Sequence, residues 1–164
     1  PGDLIPGPAI VQTVLDGLTG PFVQVNLSQF GPGIVTNSDN TLAITLPDGT
    51  PVTADVPLQP GATIVVEAIG LGPSNPPLNP LEIPSSALML DPGTTVLVYL
   101  NGSPVDPGYV SSATLVPGQA GVYQLTVQLP PNTPANPTLQ ISANGIVSAP
   151  GLTIPVQIPD NQDL

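Results

Sequence analysis

A proline or a glycine interrupts this chain every few residues: 25 Pro and 17 Gly are spread through 164 positions. They fall between apolar runs and not in periodic tracts, so they act as turn punctuation in a chain of short extended segments. Residues with strong helix propensity are scarce, and interior Pro breaks the helical hydrogen-bond ladder. The segments themselves alternate. In "VPGQAGVYQLTVQLP", residues 116–130, Tyr123, Leu125, Val127 and Leu129 point one way and Gln124, Thr126 and Gln128 the other, which is the period of a half-buried strand. Tyr123 and Leu125 are therefore expected in the core and Gln124 on the outside.

Asp48-Gly49, Asn101-Gly102 and Asn144-Gly145 each sit between β-branched and apolar runs, and all three are expected to form two-residue type I′ hairpins. Strands are expected near residues 8–15, 22–28, 40–46, 51–56, 62–70, 94–100, 104–110, 112–116, 121–129, 137–143, 146–149 and 151–158. A further short strand is expected around residues 87–90 in the Pro-rich crossing loop 70–93. "ATIVVEAIG" from residue 62 and "TTVLVYL" from residue 94 are apolar on both sides and predict central strands covered on both faces. The fold class is all-β, an antiparallel β-sandwich, with an N-terminal arm over 1–21 and one sandwich domain over 22–164.

A resemblance supports that architecture. "FGPGIVT", "DGTPV", "PLQPGATIVVEAIGLGPSN", "TTVLVYLNGSPV" and "LVPGQAGVYQLTVQLPPNTPANPTLQISANGIVSAPGLTIPV" follow in the order of an uncharacterised C-terminal β-sandwich domain family of secreted acidobacterial (Solibacter-type) proteins. Gly70, Leu71 and Gly72 match its Thr-Gly-Leu-Gly motif, with Ile69 in the place of Thr. Asn101, Gly102 and Pro104 match its hairpin loosely. Pro117, Gly118, Gly121, Tyr123, Gln124, Val127 and Pro130 match its Pro-Gly…Gly-Leu-Tyr-Gln strand. The resemblance spans roughly residues 30–158 and implies an immunoglobulin-like module, secreted or at the cell surface, with no established activity. The first 29 residues lie outside it, and family members usually end long multidomain chains.

The charge balance excludes much chemistry. With 11 Asp plus Glu and no Lys, Arg, His or Cys, the formal net charge is -11. A chain with no cation cannot clamp phosphates or release counterions, so nucleic acid is not a partner and anionic membrane surfaces are disfavoured. No apolar run reaches membrane-spanning length. Ser or Thr nucleophiles lack a His or Lys base. A carboxylate pair for glycoside hydrolysis would have to draw on Glu67 and Glu82, the only Glu residues, one in a central strand and the other in the Pro-rich loop, and no enzymatic activity is expected. No cofactor is expected. Calcium is the one ion the composition favours, with Asp39, Asn40, Asp48 and Asp55 as the loop residues to consider. Asn26 and Asn101 fit the N-glycosylation pattern. Tyr99, Tyr109, Tyr123, Phe22 and Phe30 are the only aromatics, and core packing is expected of them before a carbohydrate platform.

What is left is a structural subunit that assembles head-to-tail with copies of itself outside the cell, or a monomeric adhesive or spacer module, with carbohydrate as its possible ligand. The chain opens on Pro1 and is expected to be a processed, mature product or a trimmed one; without Lys or Arg it offers no trypsin-type cleavage site. "GPAIVQTVLDG", residues 7–17, is the segment expected to decide between them. Ala9, Ile10, Val11, Thr13, Val14 and Leu15 make it apolar on nearly both faces, as a strand donated to a neighbour requires. The turn-rich stretches around it, "PGDLIPGP" and "DGLTGP", are expected to act as a hinge.

Overall fold

A computed structural model describes residues 5–79 and 82–159. The fold is all-β, and no α-helix forms among the described residues. The described residues form thirteen strands in three antiparallel sheets. Among them β1 (Gly7–Leu15) and β2 (Leu18–Leu27) pair only with each other. β3 (Gly33–Ile34), β4 (Ile44–Thr45), β5 (Thr63–Ile69), β6 (Ser74–Asn75), β7 (Leu88–Leu90), β10 (Val110–Leu115) and β11 (Val122–Gln128) form a seven-stranded sheet in the order β3-β5-β11-β10-β7-β6, with β4 beside β3 on the edge of β5. β8 (Val96–Leu100), β9 (Ser103–Pro104), β12 (Leu139–Ala143) and β13 (Ile146–Val147) form a four-stranded sheet in the order β13-β12-β8-β9.

These two larger sheets make a β-sandwich around one core. Ile64, Val66 and Ala68 of β5 and Tyr123, Leu125 and Val127 of β11 face Val98 and Leu100 of β8 and Leu139 and Ile141 of β12. Leu125 is fully buried and Tyr123 is 3% exposed, whereas Gln124 on the outer face is half-buried, as the alternation requires. β5 and β8 are both interior to their sheets, but neither is covered on both faces: their outward residues, Val65 and Glu67 or Leu97 and Tyr99, remain half-buried. The apolar outward residues of these strands meet the neighbouring strand on the same face and need no second layer.

Two of the three expected type I′ turns have the required geometry. Asn101 and Gly102 have φ of 50° and 76°, and Asn144 and Gly145 have 46° and 82°. Each Asn also closes the β8–β12 ladder at one end. Asn101 N–H donates to Thr138 O (3.0 Å) and its Oδ1 accepts from Thr138 N (2.9 Å). At the other end Asn144 N–H donates to Thr95 O (2.9 Å) and its Oδ1 accepts from Thr95 N (2.8 Å). One Asn thus supplies the positive φ and stands in for a strand residue. Asn101→Ala and Asn144→Ala should each destabilise by about 1–2 kcal/mol, because alanine disfavours the left-handed region and leaves a backbone N–H without its acceptor. Denaturant midpoints would read this; a change below about 0.5 kcal/mol in both variants would contradict it.

The third turn differs. Asp48 is not at positive φ; Gly49 alone is, at 87°. Leu46 pairs with Thr50 (N to O, 2.8 Å) and Gly49 N–H reaches Leu46 O (2.9 Å), so the loop is the three-residue Pro47-Asp48-Gly49. Pro47, with its φ set near -65°, favours an ordinary turn closed by a left-handed glycine. Proline also explains the segments that fall short of regular strands. Residues 51–56 and 151–158 make only isolated bridges, Thr45 with Pro51, Thr138 with Thr153 and Leu58 with Val156. Residues 104–110 break at a 3₁₀ turn, Pro107–Tyr109, where Asp106 Oδ1 accepts from Gly108 N (2.8 Å).

The candidate self-assembly surface

The register of the β1–β2 hairpin defines two faces. Ala9 lies opposite Val25, Val11 opposite Val23, and Leu15 opposite Leu18. Opposed residues share a face, so these six, with Leu27, make a surface whose only polar side chain is Thr13. The other face mixes Ile10, Val14 and Phe22 with Gln12, Thr19, Gln24 and Asn26. A bulge separates the two halves between Gln12 and Val14, where Gln12 Nε2 donates to Gly20 O (2.8 Å) and Gly20 leaves room for the Thr13 hydroxyl.

Ala9, Val25 and Leu27 near the root are half-buried, and the rest of both faces is uncovered. Ile10, Val11, Val14, Leu15, Leu18, Phe22 and Val23 are exposed, from 54% at Val11 to 78% at Leu18. All six residues expected to form a donor strand, Ala9, Ile10, Val11, Thr13, Val14 and Leu15, therefore lie together on β1. They are not a lone arm. Residues 22–27, expected in the sandwich, belong to the hairpin instead, and the strand begins at Leu18.

The missed signal was local. Asp16 and Gly17 have φ of 50° and 80° and join Leu15 to Leu18 as a two-residue turn, where a hinge was expected. An Asp-Gly pair between two apolar runs carries that information in sequence. It also identifies the partner residues Leu18, Phe22 and Val23. Phe22, expected in a core, is 67% exposed on the hairpin.

The root of the hairpin is fixed to the sandwich. Gly31 N–H donates to Gly70 O (2.9 Å), and the Phe30 ring lies against Gly72. Tyr123 O–H donates to Gly72 O (2.9 Å) from the core side. The Gly70-Leu71-Gly72 stretch thus holds the incoming chain on one side and the buried tyrosine on the other.

The remaining candidate residues are not brought into a site. Asp39 Oδ1 accepts from Thr41 N (3.0 Å) and Oγ1 (2.6 Å), and Asp48 Oδ1 accepts from Thr50 N (2.9 Å). Both carboxylates are taken up by their own turns. Among the described residues no three acidic groups cluster where a metal ion would need them. Glu82 Oε2 accepts from Asn79 Nδ2 (2.7 Å) in the crossing loop, while Glu67 lies on the outer face of β5. Asn26 is exposed on β2 and Asn101 is the turn residue described above.

These bonds give pH a direction. The Thr41 hydroxyl, aided by its backbone N–H, holds the Asp39 carboxyl below its ordinary value; the Thr50 backbone N–H does the same for Asp48. Mutual repulsion among carboxylates would raise native pKa values and stabilise the fold in acid, and at these two positions the shift runs the other way. Their contribution is present above the unfolded value near 4 and is lost as pH falls through the lower native one. Burial pushes the Tyr123 hydroxyl up to about 12. That contribution is present below about pH 10 and is lost as pH rises toward 12, on the order of 2–3 kcal/mol. In a melting-temperature profile the Asp39 and Asp48 contributions should be lost at the acid end and the Tyr123 contribution at the alkaline end. Asp39→Ala with Asp48→Ala should flatten the acid limb, and Tyr123→Phe the alkaline one. An alkaline limb unchanged in Tyr123→Phe would refute the assignment.

No protein-family model, curated protein or solved structure matches this chain.

Proposed function

We propose that this protein is a structural subunit that assembles with copies of itself, head-to-tail, outside the cell, using the N-terminal hairpin as the contact. One observation carries the reading: a two-stranded hairpin, apolar on one face but for Thr13, projects with seven large apolar side chains in solvent. An isolated two-stranded sheet is marginal in water, and contiguous exposed apolar surface of this kind marks an interaction site. Covering each Val, Leu, Ile or Phe would contribute about 1.5–3 kcal/mol before the cost of association.

Charge supports the same partner. Two copies each carrying -11 repel wherever carboxylates meet, and no cation is present to offset this. Neither strand of the hairpin contains a charged residue; Asp16 sits at the tip. It is thus a surface on which a second copy can approach without burying a carboxylate. A hairpin that inserts into a different patch of its neighbour makes a heterologous contact, which propagates into an open filament unless the rotation closes. The resemblance to secreted sandwich domains supports an extracellular or surface location.

Deletion of residues 1–27 tests the reading. No residue of the hairpin belongs to the sandwich core, so the remainder should stay folded. The full chain should scatter light as large or growing particles and the truncated chain as a folded monomer. A full chain that stays monomeric is what the spacer or adhesive alternative requires, and it would overturn the proposal.

A further inference from the structure

We infer that the acceptor for the hairpin is a groove along the seam of the sandwich, and that β1 of a second copy enters it as an added strand beside Thr153. This rests on the self-assembly reading above and names its other half. The starting point is the bonding of the C-terminal segment. Leu139 N–H donates to Leu152 O (3.0 Å) and Ile154 N–H to Pro137 O (2.9 Å), so Thr138 and Thr153 form the non-hydrogen-bonded pair between them. In such a pair the N–H and C=O of each residue point away from the other. Thr138 turns its groups to Asn101; Thr153 turns its own to the opposite side. Two residues further along, that side is already used: Leu58 N–H donates to Pro155 O (2.8 Å) and Gln157 N–H to Leu58 O (2.8 Å). Among the described residues, the lane beside this segment is therefore occupied at Leu58 and open at Thr153.

The open part of the lane is a groove. Two cavities of about 340 and 240 Å³ adjoin there and share Leu42 and Leu152. One wall is formed by residues 148–155 with Asn136, the other by residues from 32 to 54. Buried Leu42, Ile44, Val52 and Ile154 line it, so apolar side chains entering it would extend the core. Neither cavity is lined by an Asp or Glu, although the chain has 11. The groove and the hairpin strands are thus carboxylate-free surfaces of one polyanion, matched in the only way such a chain allows.

β1 fits this lane better than β2. Residues Ala9 to Leu15 contain neither Pro nor Gly, whereas β2 carries Gly20, Pro21 and the bulge, which interrupt its outer edge as a template. With β1 beside Thr153, the face bearing Ala9, Val11 and Leu15 turns toward Leu42 and Val52. Gln12 and Gln24 remain on the outer side, together with Ile10, Val14 and Phe22. The hairpin is fixed at Gly31 and stands off its own sandwich, which makes the groove of a neighbour the surface it can cover.

Thiol trapping tests this cleanly, because the chain contains no cysteine. Full-length Val11→Cys protein is mixed with full-length Leu152→Cys protein, whose side chain lines both cavities on the inward face beside Thr153, and oxidised. A disulfide-linked heterodimer should form, at least about tenfold in excess of that obtained with Gln128→Cys, an exposed position on the sheet away from the groove. Ala54→Trp, at the exposed lip of the groove, should weaken association by about tenfold or more with an unchanged melting temperature. Links of Val11→Cys to itself, with assembly intact, would place hairpin on hairpin and overturn the groove while leaving self-assembly standing. An internal disulfide in a monomeric Val11→Cys, Leu152→Cys double variant would show insertion in cis and overturn the exchange. A full chain that neither assembles nor links would remove the self-assembly reading itself.

Discussion

Gly70→Ala should destabilise the fold by about 3 kcal/mol or more and is expected to yield little soluble protein. Two independent penalties act at this position. Its φ of 69° lies in the left-handed region, which disfavours alanine by about 1 kcal/mol. A Cβ there would also land on the Gly31 carbonyl, a backbone group that no side-chain rotation can move aside. Separating the two segments would break the bond from Gly31 N–H to Gly70 O, and the Phe30 ring would lose its seat on Gly72, where a Cβ would lie 2.5 Å from the ring. The hairpin root and the sandwich should loosen together. Gly118→Ala is the control: its φ of 77° is similar but nothing stands within contact distance of an added methyl group. Denaturant unfolding of both variants separates clash from backbone conformation. If Gly70→Ala were no more destabilised than Gly118→Ala, the close approach at the hairpin root would be refuted.

Leu125→Ala should cost about 3–5 kcal/mol, and the neighbouring Gln124→Ala less than about 0.5 kcal/mol. Leu125 is fully buried at the middle of β11, a strand bonded on both sides, by β5 through Val66 and by β10 through Ala113. Strands fixed on both edges collapse poorly around a cavity, which places the loss in the upper part of the range. Gln124 lies between Glu67 and Thr114 on the outer face and makes no side-chain hydrogen bond among the described residues. The resemblance includes a Gln at this position and leaves room for a role in bonding a loop. Unfolding of Gln124→Ala would show that role and contradict its placement on the outer face.

The motif that carried the resemblance has a physical content of its own. Gly70 and Gly72 are required where Phe30 and Gly31 cross close against them, and Tyr123 is required where its hydroxyl reaches the Gly72 carbonyl. Three matched positions separated by some 50 residues in sequence meet at one point, the root of the hairpin. Read singly, the glycines suggest turns and the tyrosine suggests core packing. Their meeting depends on how β5, β11 and the incoming chain are stacked, which no local pattern encodes.

The donor-strand residues show the same division. Ala9 to Leu15 were legible as an extended segment with nothing polar enough to stay exposed, because alternation and side-chain chemistry are properties of the segment alone. Their partner was not chosen from the same signal. The run from Leu18 to Leu27 alternates well enough to lie in the sandwich, and only the Asp16-Gly17 turn, read as a hinge, argued otherwise. The two cavities beside Thr153 had no sequence signature at all, since their walls come from residues 32–54, Asn136 and residues 148–155.

Proline and glycine spacing, period-two alternation and the Asn-Gly turns determined an all-β chain with a core on one side of each strand. These act through the φ, ψ and solvation of neighbouring residues, and a local effect is fully present in the sequence. Which strands pair, which edge carries Leu58 and which is left open at Thr153, and that β1 and β2 stand outside the sandwich, only the tertiary structure decided. Strand pairing joins segments far apart in the chain, and several pairings satisfy the same pattern of side chains. The choice among them falls to the packing of the whole core and to the prolines that deny some edges a donor.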